Sequence, residues 1–289
     1  MRAILKARLQ SGFLLGGALL VASFFAPPWV ALVILVALTA LGLWEFYSLL
    51  DAARIPNFRC LGTLVGVGMM AATFGAWRWG APAWRGDVDL LVVFLAFFAV
   101  FARQFSQKHS ARPLETLAAT LLGLLYIAFL LTFLARILLA WGGLEGRWLL
   151  LYMIVVVKFT DIGAFFVGSW IGRHKLIPRI SPAKSWEGVI GGVLIATAVS
   201  VGTYCACGGR LGPVRLHLHD ALLLALILSV SGILGDLAES LLKRAAGVKD
   251  SGTMIAGMGG LLDVVDSLLP AAPMLYFYAH YFLQATAAP

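Results

Sequence analysis

Charged side chains are scarce in this sequence, since only 12% of its 289 residues are Asp, Glu, Lys or Arg. Soluble domains carry about twice that share. Hydrophobic residues make up 61% of the chain, and its mean hydropathy is +0.92. The shortage of charge excludes an ordinary soluble enzyme and a disordered chain. The hydrophobic content predicts an all-α polytopic membrane protein.

Cysteine is also rare, with only Cys60, Cys205 and Cys207 in the chain. Three cysteines at these spacings exclude a disulfide framework and a cysteine-rich zinc site. Acidic residues are outnumbered by basic ones, 14 to 22, which gives a net charge of +8. The basic residues fall between long apolar runs rather than on a soluble face. We therefore expect membrane lipid as their partner, and no nucleic acid.

Long apolar runs are the most prominent feature that the sequence does contain. A helix needs about 20 mostly apolar residues to cross a bilayer, and by this measure the chain has about nine spans. We interpret the first as a retained helix and not a cleaved signal peptide, because a second span follows directly after it. The predicted spans are approximately 12–26, 28–50, 60–77, 88–104, 115–140, 148–171, 187–207, 220–241 and 261–284.

The basic residues are distributed unevenly between the two sides of this map. With the N-terminus inside, fifteen of the 22 basic residues lie in inner segments and five lie in outer segments. Positive charge is retained on the cytoplasmic side of membrane proteins. Nine spans therefore place the N-terminus in the cytoplasm and the C-terminus outside. We expect a multi-pass protein of a bacterial-type inner membrane.

Six of the 14 acidic residues fall at apparent membrane depth, where an ionisable group costs roughly 3 kcal/mol and indicates a functional polar cavity. Glu45 stands alone near the inner end of its helix, and we interpret it as structural or interfacial. Lys158 and Asp161 are three residues apart, so a buried salt bridge is one interpretation of that pair. The other four acids are Asp236, Glu239, Asp263 and Asp266.

These four acids form two pairs with a spacing of three residues, which places each pair on one face of a helix. Four carboxylates cannot all stay ionised together at low dielectric without cations. Carboxylate oxygens suit Mg²⁺, which also binds substrate phosphates. The spacing therefore predicts a Mg²⁺ site, and the number of carboxylates leaves room for a second cation.

Two segments combine basic residues with glycine or proline in a way that is typical of phosphate binding. One runs from Lys243 to Gly260, and its last glycines precede the final span, where a helix N-terminus favours an anion. The other contains Ser181 and Lys184 immediately before a helix. Both segments lie on the predicted inner side, so we expect a phosphate-binding site that faces the cytoplasm.

These segments resemble the signature of the phosphatidate cytidylyltransferase (CDP-diacylglycerol synthase) family. The similarity covers residues from about 155 to 270, and residues 1–150 agree only in being hydrophobic. The similar residues read Asp161-x-Gly163-Ala164, then Ser181-Pro182-x-Lys184-Ser185-Trp186-Glu187-Gly188, then Gly235-Asp236-Leu237-x-Glu239-Ser240-x2-Lys243-Arg244-x4-Lys249-Asp250-x-Gly252, and finally Gly259-Gly260-x2-Asp263-x2-Asp266.

The resemblance implies transfer of CMP from CTP to phosphatidate, which gives CDP-diacylglycerol and pyrophosphate and requires Mg²⁺. It implies a catalytic region at 151–289 (spans six to nine), with 1–150 (spans one to five) as a scaffold. The resemblance alone suggests a homodimer. We assign catalysis to Lys243, Arg244, Lys249 and Asp250, substrate binding to Ser181, Lys184, Ser240, Gly259 and Gly260, and metal binding to Asp236, Glu239, Asp263 and Asp266.

Four positions depart from the family's pattern. The family usually has Pro, His and Arg where this chain has Ala256, Met258 and Val264, and it has Thr where this chain has Ser185. Every group that metal and phosphate binding require is still present. We therefore expect an active enzyme in spite of the missing His and Arg.

Two other functions fit parts of the pattern. A CTP-dependent lipid kinase of the dolichol- or phytol-kinase type also uses acids and a basic loop, but it would attack the γ-phosphorus and release CDP. A cation-coupled transporter also carries acidic residues within its spans. The acids here crowd into one half of the chain beside a phosphate-binding type of segment, which disfavours a transporter.

Overall fold

The computed structural model describes residues 27–108, 111–141, 146–212, 214–248 and 260–283. Within these ranges the chain is mostly helical, and seven of its helical segments are long and apolar enough to cross a membrane. These segments are α1 (Pro28–Ala52), α2 (Arg59–Trp79), α3 (Arg85–Phe105), α4 with α5 (Pro113–Leu139), α6 (Gly146–Ile171), α7 (Trp186–Ala206) and α8 (Leu218–Ala245).

Seven of the predicted spans correspond to these segments, and their ends agree to within four residues. The agreement is close because each run of apolar residues is bounded by charged residues, proline or glycine, which end the helix or mark the membrane surface. The remaining predicted span of the N-terminal half, 12–26, lies outside the described residues. The chain is an all-α polytopic membrane protein in its main features.

The predicted span 261–284 is wrong as a single helix. The structure has a short helix, α9 (Leu262–Val265), and a longer one, α10 (Leu268–Phe282), with a turn between them. In that turn the backbone N–H of Ser267 donates to Oδ1 of Asp266 at 2.6 Å, a local bond that competes with the helical pattern. Asp263 and Asp266 therefore do not share one helix face as predicted.

Two short antiparallel hairpins interrupt the helical pattern. The first joins α6 to α7 and consists of β1 (Lys175–Ile177) and β2 (Ser181–Ser185). It pairs Lys175 with Ser185 and Ile177 with Ser181, so its register is irregular, with more residues on β2 than on β1. The second hairpin joins α7 to α8 and consists of β3 (Arg210–Leu211) and β4 (Val214–Arg215).

The described residues group into two compact units. The first unit contains those of Met1–Leu139 and Ala245–Val264, and the second contains those of Ala140–Arg244 and Val265–Pro289. The division into a scaffold at 1–150 and a catalytic region at 151–289 remains a prediction from the sequence.

The core of the first unit is organised around Tyr47, which is fully buried on α1. Its hydroxyl donates to the backbone oxygen of Thr120 at 2.8 Å, and its ring fills the space beside Gly62 and Gly123. Immediately after Gly123 the helix forms a π-helical segment, Leu124–Phe129, before it continues as α5 (Leu130–Leu139). The tyrosine thus joins three helical segments through two glycines that leave room for it.

The second unit depends on small residues between α6 and α7, which let the two helix backbones approach closely. A Cβ atom at Gly188 would lie 2.8 Å from the backbone oxygen of Ala164, and one at Gly192 would lie 2.7 Å from that of Thr160. Because both contacts are with backbone atoms, no side-chain rotation can relieve them. The close packing holds the ends of α6 and α7 in place, and the first hairpin connects those ends.

We expect Gly192→Ala to lower the free energy of unfolding by about 1–3 kcal/mol, because the added methyl group has to push the backbone of α6 away. The matched control is Gly202→Ala on the same helix, where an added Cβ meets nothing within 4 Å. Thermal unfolding of the purified variants in detergent measures both effects. Equal midpoints for the two variants would contradict this account of the α6–α7 packing.

Candidate active site

The first hairpin directs Lys184 to α8 within the second unit. The Lys184 ammonium lies 2.7 Å from Oδ2 of Asp236, and the hydroxyl of Ser240 donates to Oδ1 of the same carboxylate at 3.3 Å. The side chain of Asp236 is 36% exposed, so its oxygens are accessible to a ligand. The structure thus brings together three residues that the sequence analysis assigned to the site.

The position of Lys184 is fixed by hydrogen bonds around the start of α7. The buried hydroxyl of Ser185 accepts from the backbone N–H of Gly188 at 3.2 Å, which caps the helix. Glu187 accepts from the backbone N–H groups of Arg173 and His174, and its Oε1 lies 2.6 Å from Nδ1 of His174. Serine supplies the same capping hydroxyl as the threonine that the family has at position 185.

A second group of polar side chains joins α6 to the turn between α9 and α10. The Lys158 ammonium lies 3.5 Å from Oδ2 of Asp161 and 3.3 Å from Oγ of Ser267. The Ser267 hydroxyl donates to the same Asp161 oxygen at 3.3 Å. The salt bridge between Lys158 and Asp161 is therefore present, and it also holds the residue that follows Asp266.

Asp266 is 6% exposed and lies against the backbone of α8. A Cβ atom at Gly235 would collide with the backbone oxygen of Asp266, so only glycine allows α8 to approach the turn this closely. The glycine immediately precedes Asp236. The close approach therefore brings the Asp266 turn to the part of α8 that carries Asp236.

The carboxylates of Asp161, Asp236 and Asp266 lie within electrostatic range of one another, and Lys158 and Lys184 lie among them. Two ammonium groups do not balance three carboxylates at low dielectric. A divalent cation bound by oxygen ligands would relieve the remaining repulsion. The donor set of this cluster thus fits Mg²⁺.

Near the C-terminal end of α8, Glu239 and Lys243 form an ion pair with an N–O distance of 2.7 Å. Glu239 is 1% exposed, so this carboxylate orients the ammonium group of Lys243 from below the protein surface. In the next residue, Nε of Arg244 donates to the backbone oxygen of Ile180 in the first hairpin at 3.4 Å. The two predicted catalytic cations thus extend from the same helix end.

Asp263 and Gly260 belong to the first unit, where they form a local turn. The backbone N–H of Gly260 donates to Oδ2 of Asp263 at 2.8 Å. The backbone N–H of Leu262 donates at 3.0 Å to Oε2 of Glu45, a buried residue of α1.

Among the remaining assigned residues, Ser181 begins strand β2. Five further residues lie outside the described residues: Lys249, Asp250, Gly259, Ala256 and Met258.

Sequence reasoning did not assign Lys158 and Asp161 to the site, although the structure places them beside Asp266. The available signal was their spacing within a span and the place of Asp161 in the family signature. That spacing fits an isolated salt bridge equally well. The contact between Asp161 and Ser267 shows that the pair is not an isolated salt bridge, because it joins residues 106 positions apart in the sequence.

A further polar cluster lies at the opposite end of α8, where His217, His219 and Asp220 bring three ligand-type atoms within 4.8 Å of one another. Both oxygens of the Asp220 carboxylate have structural partners. Oδ2 accepts from the backbone N–H of His217 at 2.8 Å, and Oδ1 accepts from the Tyr278 hydroxyl at 2.8 Å. These bonds cap α8 and join it to α10.

Comparisons with known proteins show which family the chain belongs to. The chain matches the Cytidylyltransferase family over residues 6–282. It is 33% identical to a phosphatidate cytidylyltransferase of Haemophilus influenzae over 95% of this chain and 99% of that protein. It is 46% identical to the Bacillus subtilis phosphatidate cytidylyltransferase over 46% of this chain and 47% of that one. For the Pseudomonas aeruginosa phosphatidate cytidylyltransferase the identity is 41% over 47% and 51% of the two chains.

The family match, the named relatives and the apolar helices identify a membrane-embedded nucleotidyltransferase. More specifically, the chain belongs to the Cytidylyltransferase family. This membership favours nucleotidyl transfer over the lipid kinase and the transporter that the sequence pattern left open. It also extends the similarity into the N-terminal half, where the sequence analysis found only shared hydrophobicity.

Proposed function

We propose that this protein transfers CMP from CTP to phosphatidate, which yields CDP-diacylglycerol and pyrophosphate. The observation that carries the proposal is the cluster in the second unit, where Asp236 pairs with Lys184, Asp161 pairs with Lys158, and the Asp266 backbone lies against Gly235. Such a cluster suits a substrate with several phosphates and its cation. The relatives named above are phosphatidate cytidylyltransferases, which supports the same reaction.

This reaction requires alignment of the two substrates and neutralisation of their charge more than it requires acid–base catalysis. The phosphate of phosphatidate is already an anion at neutral pH and can act as the nucleophile. Its oxygen forms a bond to the α-phosphorus of CTP, and the bond from that phosphorus to the bridging oxygen breaks as pyrophosphate leaves. Positioned cations stabilise the charge that develops on the phosphoryl oxygens.

Bound Mg²⁺ would supply a Lewis-acidic charge against the triphosphate. Within the second unit, Asp236 and Asp266 are the ligands we propose for it, and the assignment of Asp263 to the metal remains a prediction from the sequence. Asp236 offers partly exposed oxygens, and Asp266 lies in the adjoining turn. The buried carboxylate of Glu239 is a further candidate ligand. In the structure it pairs with the ammonium group of Lys243. The number of carboxylates leaves room for a second cation.

Lys184 and Lys243 are suited to phosphate binding because carboxylates already hold their ammonium groups in place. An ammonium group has three donors, so a lysine paired to one carboxylate oxygen can still donate to phosphate oxygens. Arg244 uses one of its five donors on Ile180. Ser181, Ser240 and Gly260 are proposed substrate-binding residues, and Lys249, Asp250 and Gly259 are proposed from the sequence signature alone.

We place the site at the cytoplasmic face of a bacterial-type inner membrane, because CTP does not cross the bilayer and the basic segments lie on one side. The orientation rests on the uneven distribution of basic residues. Nine crossings require the seven long helical segments, the predicted span 12–26 and the broken segment formed by α9 and α10. The acyl chains of the substrate remain in the membrane, and a homodimer remains a prediction from the resemblance.

The direct test uses purified protein with phosphatidate, Mg²⁺ and CTP labelled at either the α- or the γ-phosphorus. We expect the α-label to appear in the lipid product and the γ-label to appear in pyrophosphate. Chelation with EDTA should abolish the reaction, and excess Mg²⁺ should restore it. A γ-label in the lipid, with release of CDP, would identify a lipid kinase and overturn the proposal.

The metal assignment is tested by Asp236→Asn, which keeps the size of the side chain and removes its charge. We expect turnover to fall by about 100-fold or more, equivalent to about 3 kcal/mol of transition-state stabilisation. The matched control is Asp51→Asn, since Asp51 is an exposed carboxylate at the end of α1 that pairs with Arg59 at 3.4 Å. Near-normal turnover in a folded Asp236→Asn protein would remove Asp236 from the metal site.

The orientation is tested by cysteine labelling of intact cells with a membrane-impermeant maleimide. The three native cysteines are free and exposed, so they are first replaced by serine. Lys175→Cys in the first hairpin should react only after the cells are permeabilised. Arg215→Cys in the second hairpin, across α7 from the first, should react in intact cells. The reverse pattern would contradict the proposed orientation.

A further inference from the structure

Glu45 is a buried carboxylate in an otherwise apolar helix. Residues from Pro28 to Leu50 include no other charged side chain, and Glu45 is only 4% exposed. A carboxylate in such surroundings loses its hydration and needs hydrogen-bond donors in return. An apolar side chain of similar size would pack there without this cost, so packing alone does not explain an acid at this position.

This carboxylate binds the backbone of the segment that carries Asp263. Oε2 of Glu45 accepts from the N–H of Leu262 at 3.0 Å, across 217 positions in the sequence. Leu262 is the first residue of α9, where backbone N–H groups have no partner inside the helix. Both residues belong to the first unit, so the bond lies within one compact body.

The beginning of α9 cannot cap itself in the usual way. The residue that precedes the helix is Leu261, whose side chain has no hydrogen-bond acceptor. Asp263 accepts from Gly260 at 2.8 Å, which satisfies a different N–H group. Glu45 thus supplies, from another helix, the acceptor for the Leu262 N–H group.

We propose that Glu45 is a positioning residue for the Gly260–Asp263 segment. It holds the backbone of Leu262, and thereby fixes where the next side chain, Asp263, presents its carboxylate. This inference rests on the proposed function in so far as Asp263 serves as a ligand for the metal. Glu45 itself acts through Leu262 and does not touch substrate.

The first measurement is hydrogen–deuterium exchange of the purified protein, without substrate, in the peptide that covers residues 260–266. Glu45→Met keeps the length of the side chain but removes the acceptor, and it should raise exchange in that peptide. Glu45→Gln keeps an acceptor oxygen and should leave exchange close to that of the unsubstituted protein. The matched control is Tyr47→Phe, which removes a buried hydrogen bond from the same helix to Thr120 instead.

The second measurement is the dependence of CDP-diacylglycerol synthesis on Mg²⁺. We expect Glu45→Met to lower turnover, or to raise the Mg²⁺ concentration for half-maximal rate, by at least about tenfold. This magnitude corresponds to the loss of one hydrogen bond to a charged group. Glu45→Gln and Tyr47→Phe should each stay within about threefold. If Glu45→Gln retains function, the effect of Glu45→Met is due to loss of the hydrogen-bond acceptor and not to misfolding of α1.

Leu262→Pro provides a variant that leaves Glu45 in place. Proline is tolerated at the first position of a helix but has no N–H group, so it removes the donor of the same bond. It should reproduce the exchange and Mg²⁺ effects of Glu45→Met, and it keeps the inference testable should Glu45→Met fail to fold.

Unchanged exchange in both Glu45→Met and Leu262→Pro would overturn the inference. So would a loss in Glu45→Gln as large as that in Glu45→Met. A protein without cytidylyltransferase activity would refute the proposed function instead, because the exchange measurement judges the position of the segment independently of the reaction.

Discussion

A carboxylate that leaves water has to find donors or a cation, and this constraint organises the polar interior of the protein. Three ion pairs result: Asp236 with Lys184, Glu239 with Lys243, and Asp161 with Lys158. Each pair joins different turns or elements of the chain. The same bonds that compensate buried charge therefore also set the distances between hairpin, helix and turn from which a phosphate-binding site is built.

The long helices could be predicted from the sequence because membrane thickness imposes one length on every span. Local exceptions could not be predicted in this way. The turn at Asp266 and Ser267 interrupts a run that is apolar enough to be helical throughout, and it depends on a side chain bonding to its neighbouring backbone. Composition likewise gave no signal for the π-helical segment Leu124–Phe129, which begins directly after Gly123, beside the buried ring of Tyr47.

For the candidate site, residue types, spacing and the family resemblance predicted roles for Asp236, Lys184 and Lys243, but they could not assign the partners of these residues. Sequence spacing relates only residues on the same helix. It therefore explains the Glu239–Lys243 pair, and it says nothing about Lys184 reaching Asp236 or Ser267 reaching Asp161. Spacing likewise does not predict the close approach of the Asp266 backbone to α8, which the missing side chain of Gly235 permits.

The irregular register of the first hairpin limits how this region can change during evolution. Between its two pairs, β2 has three residues, Pro182 to Lys184, opposite a single residue of β1. Such a bulge re-aims side chains and accommodates proline, which has no N–H group for a ladder bond. Deleting two residues would restore a regular ladder and withdraw Lys184 from Asp236. We therefore expect this strand to tolerate a change of composition far more readily than a change of length.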